Sequence, residues 1–314
     1  MGRAFCKVWI SVVGIAVVTS VAGCGGNDAP GAPSASSVAA PSPSSPPVDV
    51  DAAFAQLLKA VKPFWCSSAY SDIGDMAEAG DVDTMKIRVH EYRGVMTTWD
   101  DNLGRIAVPA AAQPIVGKLL ELNAGEMADL DALAAAVEKN DKKQMMQLTG
   151  LAYLDDAMVG VEVDRLSTAL GHPEPQAGIA FTQLEVAYHT FYKDIAPVGD
   201  MFEAALSRND LNGAKAANAI EQDAAQRFID RLDAIDWPAQ FEPLPTFRYG
   251  YVNVLRQNLR KLIEFDRRQV DVATTAQIVP PEEGPSYQAL DDATDSLQNG
   301  LLKLRAESNP ELQC

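Results

Sequence analysis

Val82-Asp-Thr-Met-Lys-Ile-Arg-Val-His-Glu-Tyr-Arg-Gly-Val-Met-Thr-Thr-Trp-Asp-Asp-Asn-Leu-Gly-Arg-Ile106 decides the architecture. Its large apolar residues, Met85, Val89, Tyr92, Met96, Trp99, Leu103 and Ile106, step by four and three along the chain. That spacing lines one face of an α-helix, and Pro109 beyond it stops the pattern. The same rhythm runs through Phe54, Leu57, Val61, Phe64, Ser68 and Met76, where Pro63 predicts a kink, and through Val116, Leu120, Asn123, Met127, Leu130 and Val137. Near the C-terminus, Leu290, Thr294, Leu297, Leu301 and Leu304 repeat it. No stretch alternates with period two for long enough to make a strand.

Working outward, the chain repeats itself. Ala53-Phe-Ala-Gln-Leu57 recurs as Ala180-Phe-Thr-Gln-Leu184, and Pro63-Phe-Trp65 lies at the spacing of Thr190-Phe-Tyr192. Gly74-Asp-Met-Ala-Glu-Ala79 returns as Gly199-Asp-Met-Phe-Glu-Ala204. Trp99, Leu103, Ile106 and Pro109 run onto Phe228, Leu232, Ile235 and Pro238, and Leu154-Asp-Asp-Ala157 onto Leu290-Asp-Asp-Ala293. Five matches in one order read as two copies of one unit. Helices are predicted at 50–79, 82–106, 112–138 and 141–170, then at 178–206, 210–235, 244–273 and 284–307. Each amphipathic helix must bury its stripe, so the predicted fold is all-α, a tandem duplication of an antiparallel four-helix unit. The repeats span 50–171 and 176–310, with Pro173 and Pro175 at the join.

The N-terminus has a different composition. Arg3 and Lys7 precede an apolar stretch from Val8 to Ser20, the layout of a secretory signal, and Ser11, Gly14, Thr19 and Ser20 break it below the length of a membrane span. Val21-Ala22-Gly23-Cys24 resembles the lipobox of bacterial lipoproteins. That resemblance covers about two dozen residues and none of the remainder. It implies a signal peptide over 1–23, a diacylglycerol on the Cys24 sulfur and cleavage before Cys24, with further acylation giving the two or three chains that make attachment stable. The alternative is an ordinary signal peptide with a cysteine at the cut. Residues 24–49 are mostly Pro, Ser, Ala and Gly, a tether that reaches roughly 25–30 Å.

Charge limits the partners. The chain carries 43 acidic residues against 26 basic ones, a net charge of −17, and loses Arg3 and Lys7 with the signal. Such a surface is repelled by phosphate, which argues against nucleic acid and leaves membrane binding to the lipid. After Cys6 leaves and Cys24 is acylated, Cys66 and Cys314 remain. Outside the cytoplasm they are expected to pair, stabilising by about 4–5 kcal/mol through loop entropy. Two separate thiols are the alternative.

Chemical signatures are sparse. The motifs for a di-iron bundle, covalent haem, a zincin and a nucleophile elbow are absent, so no cofactor, metal or catalytic residue is predicted. Glu185 and His189 stand one turn apart and read as an exposed pair; Asp155-Asp156 and Asp291-Asp292 read as solvated helix-surface charge. Two features of the second copy stand out. Arg248, Arg256, Arg260, Lys261, Arg267 and Arg268 form a basic island, expected either to pair with neighbouring acidic helices or to dock an anionic ligand or partner. Tyr249 and Tyr251 open the same helix, and Tyr188, Phe191, Tyr192, Phe202 and Phe228 are either core or the lining of an apolar pocket. The candidate ligand residues are therefore Arg248, Tyr249, Tyr251, Arg256 and Arg260. The expected function is binding, by a lipid-anchored extracytoplasmic protein whose partner is another envelope protein or an anionic or amphiphilic ligand. The alternatives are a carrier of an apolar or amphiphilic envelope molecule and an accessory to an envelope enzyme with an acidic site.

Overall fold

The computed structural model describes residues 48–239, 251–278 and 287–308. The predicted signal, the lipobox with Cys24 and nearly all of the tether lie outside them, as do Cys314, Arg248 and Tyr249. Among the described residues the protein is all-α. In chain order the helices are α1 (Val50–Trp65), α2 (Ser68–Ala79), α3 (Val82–Leu103), α4 (Gln113–Glu138), α5 (Lys142–Ala169), α6 (Gln176–Ile195), α7 (Val198–Ser207), α8 (Leu211–Ala234), α9 (Tyr251–Val270) and α10 (Tyr287–Ser308). A short 3-10 turn, Thr275–Gln277, lies between α9 and α10.

Two predicted helices are each broken in two. The segment 50–79 divides at Cys66 and Ser67, and 178–206 divides at Ala196 and Pro197. Proline is the physical reason. Pro197 has no N–H to give the carbonyl of Lys193, and Pro63 denies one to Lys59, so α1 closes within three residues.

Three of the turns share one device. Gly80, Asn140 and Asn209 take positive φ values of 71°, 52° and 53°. The aspartate that follows each one caps the next helix: Asp81 accepts from the Thr84 N–H, Asp141 from Gln144 and Asp210 from Gly213. The same aspartates donate their own N–H groups back to Met76, Ala136 and Ala205, which satisfies carbonyls that the ending helix leaves open.

The predicted apolar stripes become the core. Leu57, Met85, Tyr92, Met96, Trp99, Leu119, Leu130 and Met145 are fully enclosed within α1–α5, and the Phe64 ring stacks between Tyr92 and Trp99 with centroids at 6.2 and 5.9 Å. A second apolar cluster joins α6, α8, α9 and α10 around Phe191, Phe228, Leu259 and Leu297. A third, smaller one joins α7 to the start of α8. The two halves meet along α5 and α6, which pack on each other. Gly160 permits the approach, because a Cβ there would stand 3.1 Å from Cγ2 of Thr182.

Candidate functional site

Helix α9 buries Val252, Leu255, Leu259, Leu262 and Ile263. Its opposite side must then face water, and Arg260, Lys261, Glu264, Arg267 and Arg268 stand on it, exposed. Steps of one, four, seven and eight residues keep these five on one side of the helix. Among the described residues no carboxylate lies within ion-pair distance of Arg260, Lys261, Arg267 or Arg268. Lys261 Nζ reaches only the Asn258 side-chain carbonyl at 3.4 Å, and Arg268 Nε the backbone carbonyl of Glu264 at 3.2 Å. Among the described residues of the island, pairing with acidic neighbours therefore accounts for Arg256 alone, whose Nη2 lies 2.5 Å from Oδ1 of Asp233 on α8. Tyr251 is the first residue of α9, and its side chain is outside the described residues. Lys261, Arg267 and Arg268 belong to the exposed surface although the candidate ligand residues omitted them. Their period along α9 was the signal.

The aromatic residues of the second half pack as core. Tyr188, Phe191, Tyr192, Phe202 and Phe228 are all buried, and Phe191 stacks on Phe228 with centroids 5.3 Å apart.

The carboxylates depart from expectation. Asp291 is buried, and its Oδ1 accepts hydrogen bonds from the hydroxyls of Tyr188 at 2.9 Å and Tyr192 at 2.5 Å. Its neighbour Asp292 is exposed, as expected. In the first half, burial and the facing Asp129 push Asp155 up to about 6. Glu185 and His189, expected to be exposed, are largely enclosed, with 19% and 8% of their side chains accessible. His189 Nε2 lies 3.3 Å from Glu185 Oε2, and Gln298 donates to the other oxygen of Glu185. The side chains of α6 and α10 are thus tied by polar contacts inside the fold.

A further buried network holds the C-terminal helix against the first. Arg305 on α10 donates to Glu174 at 2.8 Å, lies 4.0 Å from Asp164 on α5, and sits 4.5 Å from the centroid of the Trp65 ring on α1. Thr182 donates to the far oxygen of Asp164 at 2.7 Å. Burial outweighs these favourable contacts and pushes Asp164 up to about 7.

Between α3 and α4 lies a cavity of about 240 Å³, lined by Lys86, His90, Arg93 and Glu138 over Val89, Ala134, Ala135 and Val137. Its cations are engaged, Lys86 with Glu138 at 3.1 Å and Arg93 with Asp131 at 2.5 Å. Among the described residues no three His, Cys, Asp or Glu side chains converge as a metal site, and no helix is long and apolar enough to cross a membrane. No family model matches the chain, and no curated protein or solved structure does.

Proposed function

We propose that the protein is a signal-cleaved, lipid-anchored extracytoplasmic binding protein that engages an acidic partner through the outer face of α9. The observation that carries the binding surface is the exposure of Arg260, Lys261, Arg267 and Arg268 without carboxylate partners in a chain of net charge −17. Elsewhere most described cations are spent on ion pairs, so these four are available to an outside anion. An acidic protein surface suits them, because a strip of point charges on one helix steers and orients a complementary face. The anchor half of the proposal rests on Arg3, Lys7 and the Val21-Ala22-Gly23-Cys24 run.

The decisive experiment is capture of partners from solubilised envelope by the tagged full chain and by a variant with Arg260, Lys261, Arg267 and Arg268 all changed to Glu. One reproducible protein should appear with the parent and vanish with the variant at physiological salt. Equal recovery by both would remove α9 from the proposal. Cys24→Ser addresses the anchor separately, since the protein should then leave the membrane fraction for the medium.

The proposal has two further structural features. The two halves derive from one duplicated unit. Supporting this, α1 and α6 both break before a short helix, Gly80-Asp81 and Asn209-Asp210 form equivalent turns, and α3 packs on α1, α2 and α4 as α8 packs on α6, α7 and α9. Cys66 bridges to Cys314, which the seat of Arg305 on Trp65 supports. The last described residue, Ser308, is six residues from Cys314, a span of about 20 Å at full extension.

A further inference from the structure

Between α8 and α9 the apolar interior of the second half is interrupted by a polar layer. Along α8 the inward residues run Ala214 and Ala217, then Asn218 and Glu221, then Ala224, Ala225 and Phe228. Along α9 they run Leu259, Leu262 and Ile263, then Asp266 and Gln269. Ala214 and Ala217 belong to the cluster under α7, whereas Phe228 and Leu259 belong to the main cluster. Asn218, Glu221 and Asp266, each fully enclosed, therefore separate the two.

Among the described residues none of the three has a conventional partner. Both polar atoms of Asn218, both oxygens of Glu221 and both oxygens of Asp266 are buried without a donor or acceptor, other than the two carboxylates facing each other. No lysine or arginine among the described residues faces the pair, and the packing on either side of the layer is apolar. The first half handles the same problem differently. There the buried Glu126 accepts from Tyr92 at 2.7 Å, and Asn123 donates to Asp100 at 2.7 Å. Leaving a buried neutral polar group unmatched costs about 1–3 kcal/mol, and an uncompensated charge costs more.

We propose that Asn218, Glu221 and Asp266 form an internal site for a hard divalent cation. Two carboxylates and an amide carbonyl offer only oxygen donors, the set that calcium, magnesium and manganese accept, and a dication would neutralise both acids at once. Sequence spacing gave no sign of the site, because Glu221 and Asp266 come from antiparallel helices far apart in the chain. Burial raises both carboxyls above the usual carboxylate range, and the facing Glu221 charge raises Asp266 further, so a cation entering the pair must displace a proton.

The test uses the full chain stripped with chelator and then supplied with calcium, magnesium or manganese chloride at pH 5 and pH 8. One of these ions should raise the thermal midpoint at pH 8 and much less at pH 5, with matching stoichiometric binding by calorimetry. Glu221→Gln with Asp266→Asn should abolish both effects. Asn218→Ala, which leaves the carboxylates in place and guards against misfolding of the double variant, should weaken binding about tenfold or more, by analogy with groups that support a metal. No heat and no midpoint shift with any of the three ions, or an undiminished shift in both variants, would overturn the site. A pH-dependent midpoint that vanishes in the double variant without any cation binding would also overturn it, leaving a proton-sharing pair.

Discussion

Asp291 shows how much one residue carries. It serves two enclosed tyrosine hydroxyls, and Asp291→Leu would take that acceptor from both and leave them only each other, a loss of about 2–3 kcal/mol on mutational scales. Asp291→Asn keeps an acceptor and should lose less. Urea denaturation of the three proteins checks the order. The sequence placed Asp291 beside the Leu290–Leu297 stripe and in water. That placement failed because α10 packs against both α6 and α9, which widens its buried face beyond the predicted stripe to include Asp291 and Gln298. Glu185 and His189 were misjudged for a related reason, since α6 touches α5, α8 and α10. A stripe reports one buried side, and a helix with three neighbours has little else.

At the scale of elements, the 3.6-residue period found most of the helices, and Val82–Leu103 and Gln113–Glu138 begin within one residue of expectation. The missed breaks at Cys66 and Ala196 fall where an apolar pattern runs on through a proline-weakened backbone, so periodicity gives no signal. The exposed side of α9 was readable as a basic island, but whether its cations were paired depended on tertiary neighbours. Replacement of those four exposed cations should leave stability within about 0.5 kcal/mol per site. The seat of α10 is different. Arg305→Met strands Glu174 and Asp164 without their cation inside the fold and should cost about 3–5 kcal/mol. Changing Glu174 to Gln and Asp164 to Asn alongside it should recover much of that loss in the same denaturation series, because the uncompensated charges are then gone.

For the whole molecule, buried acids set the response to pH. Burial is the leading cause that raises Asp155 and Asp295 to about 6 and Asp164 to about 7, whereas in an unfolded chain aspartates ionise near ~3.9. The folded protein thus keeps protons that the unfolded chain has released. The stability these groups contribute is full below the unfolded value and is lost as pH rises through 6 to 7. Thermal unfolding followed by circular dichroism should give a higher midpoint at pH 5 than at pH 8, and Asp164→Asn should flatten part of that slope. Composition announced an acidic protein but could not say which acids are enclosed, because that depends on which helices meet. The contact between Arg305 and Trp65 also bears on how the fold is reached. The guanidinium that neutralises Glu174 lies 131 residues further along the chain. A chain synthesised from its N-terminus finishes all of α1–α6 before that cation exists. The buried contact at the junction between the halves must wait until Arg305 has been made, so truncations near residue 300 should yield a first half whose junction with the second stays open.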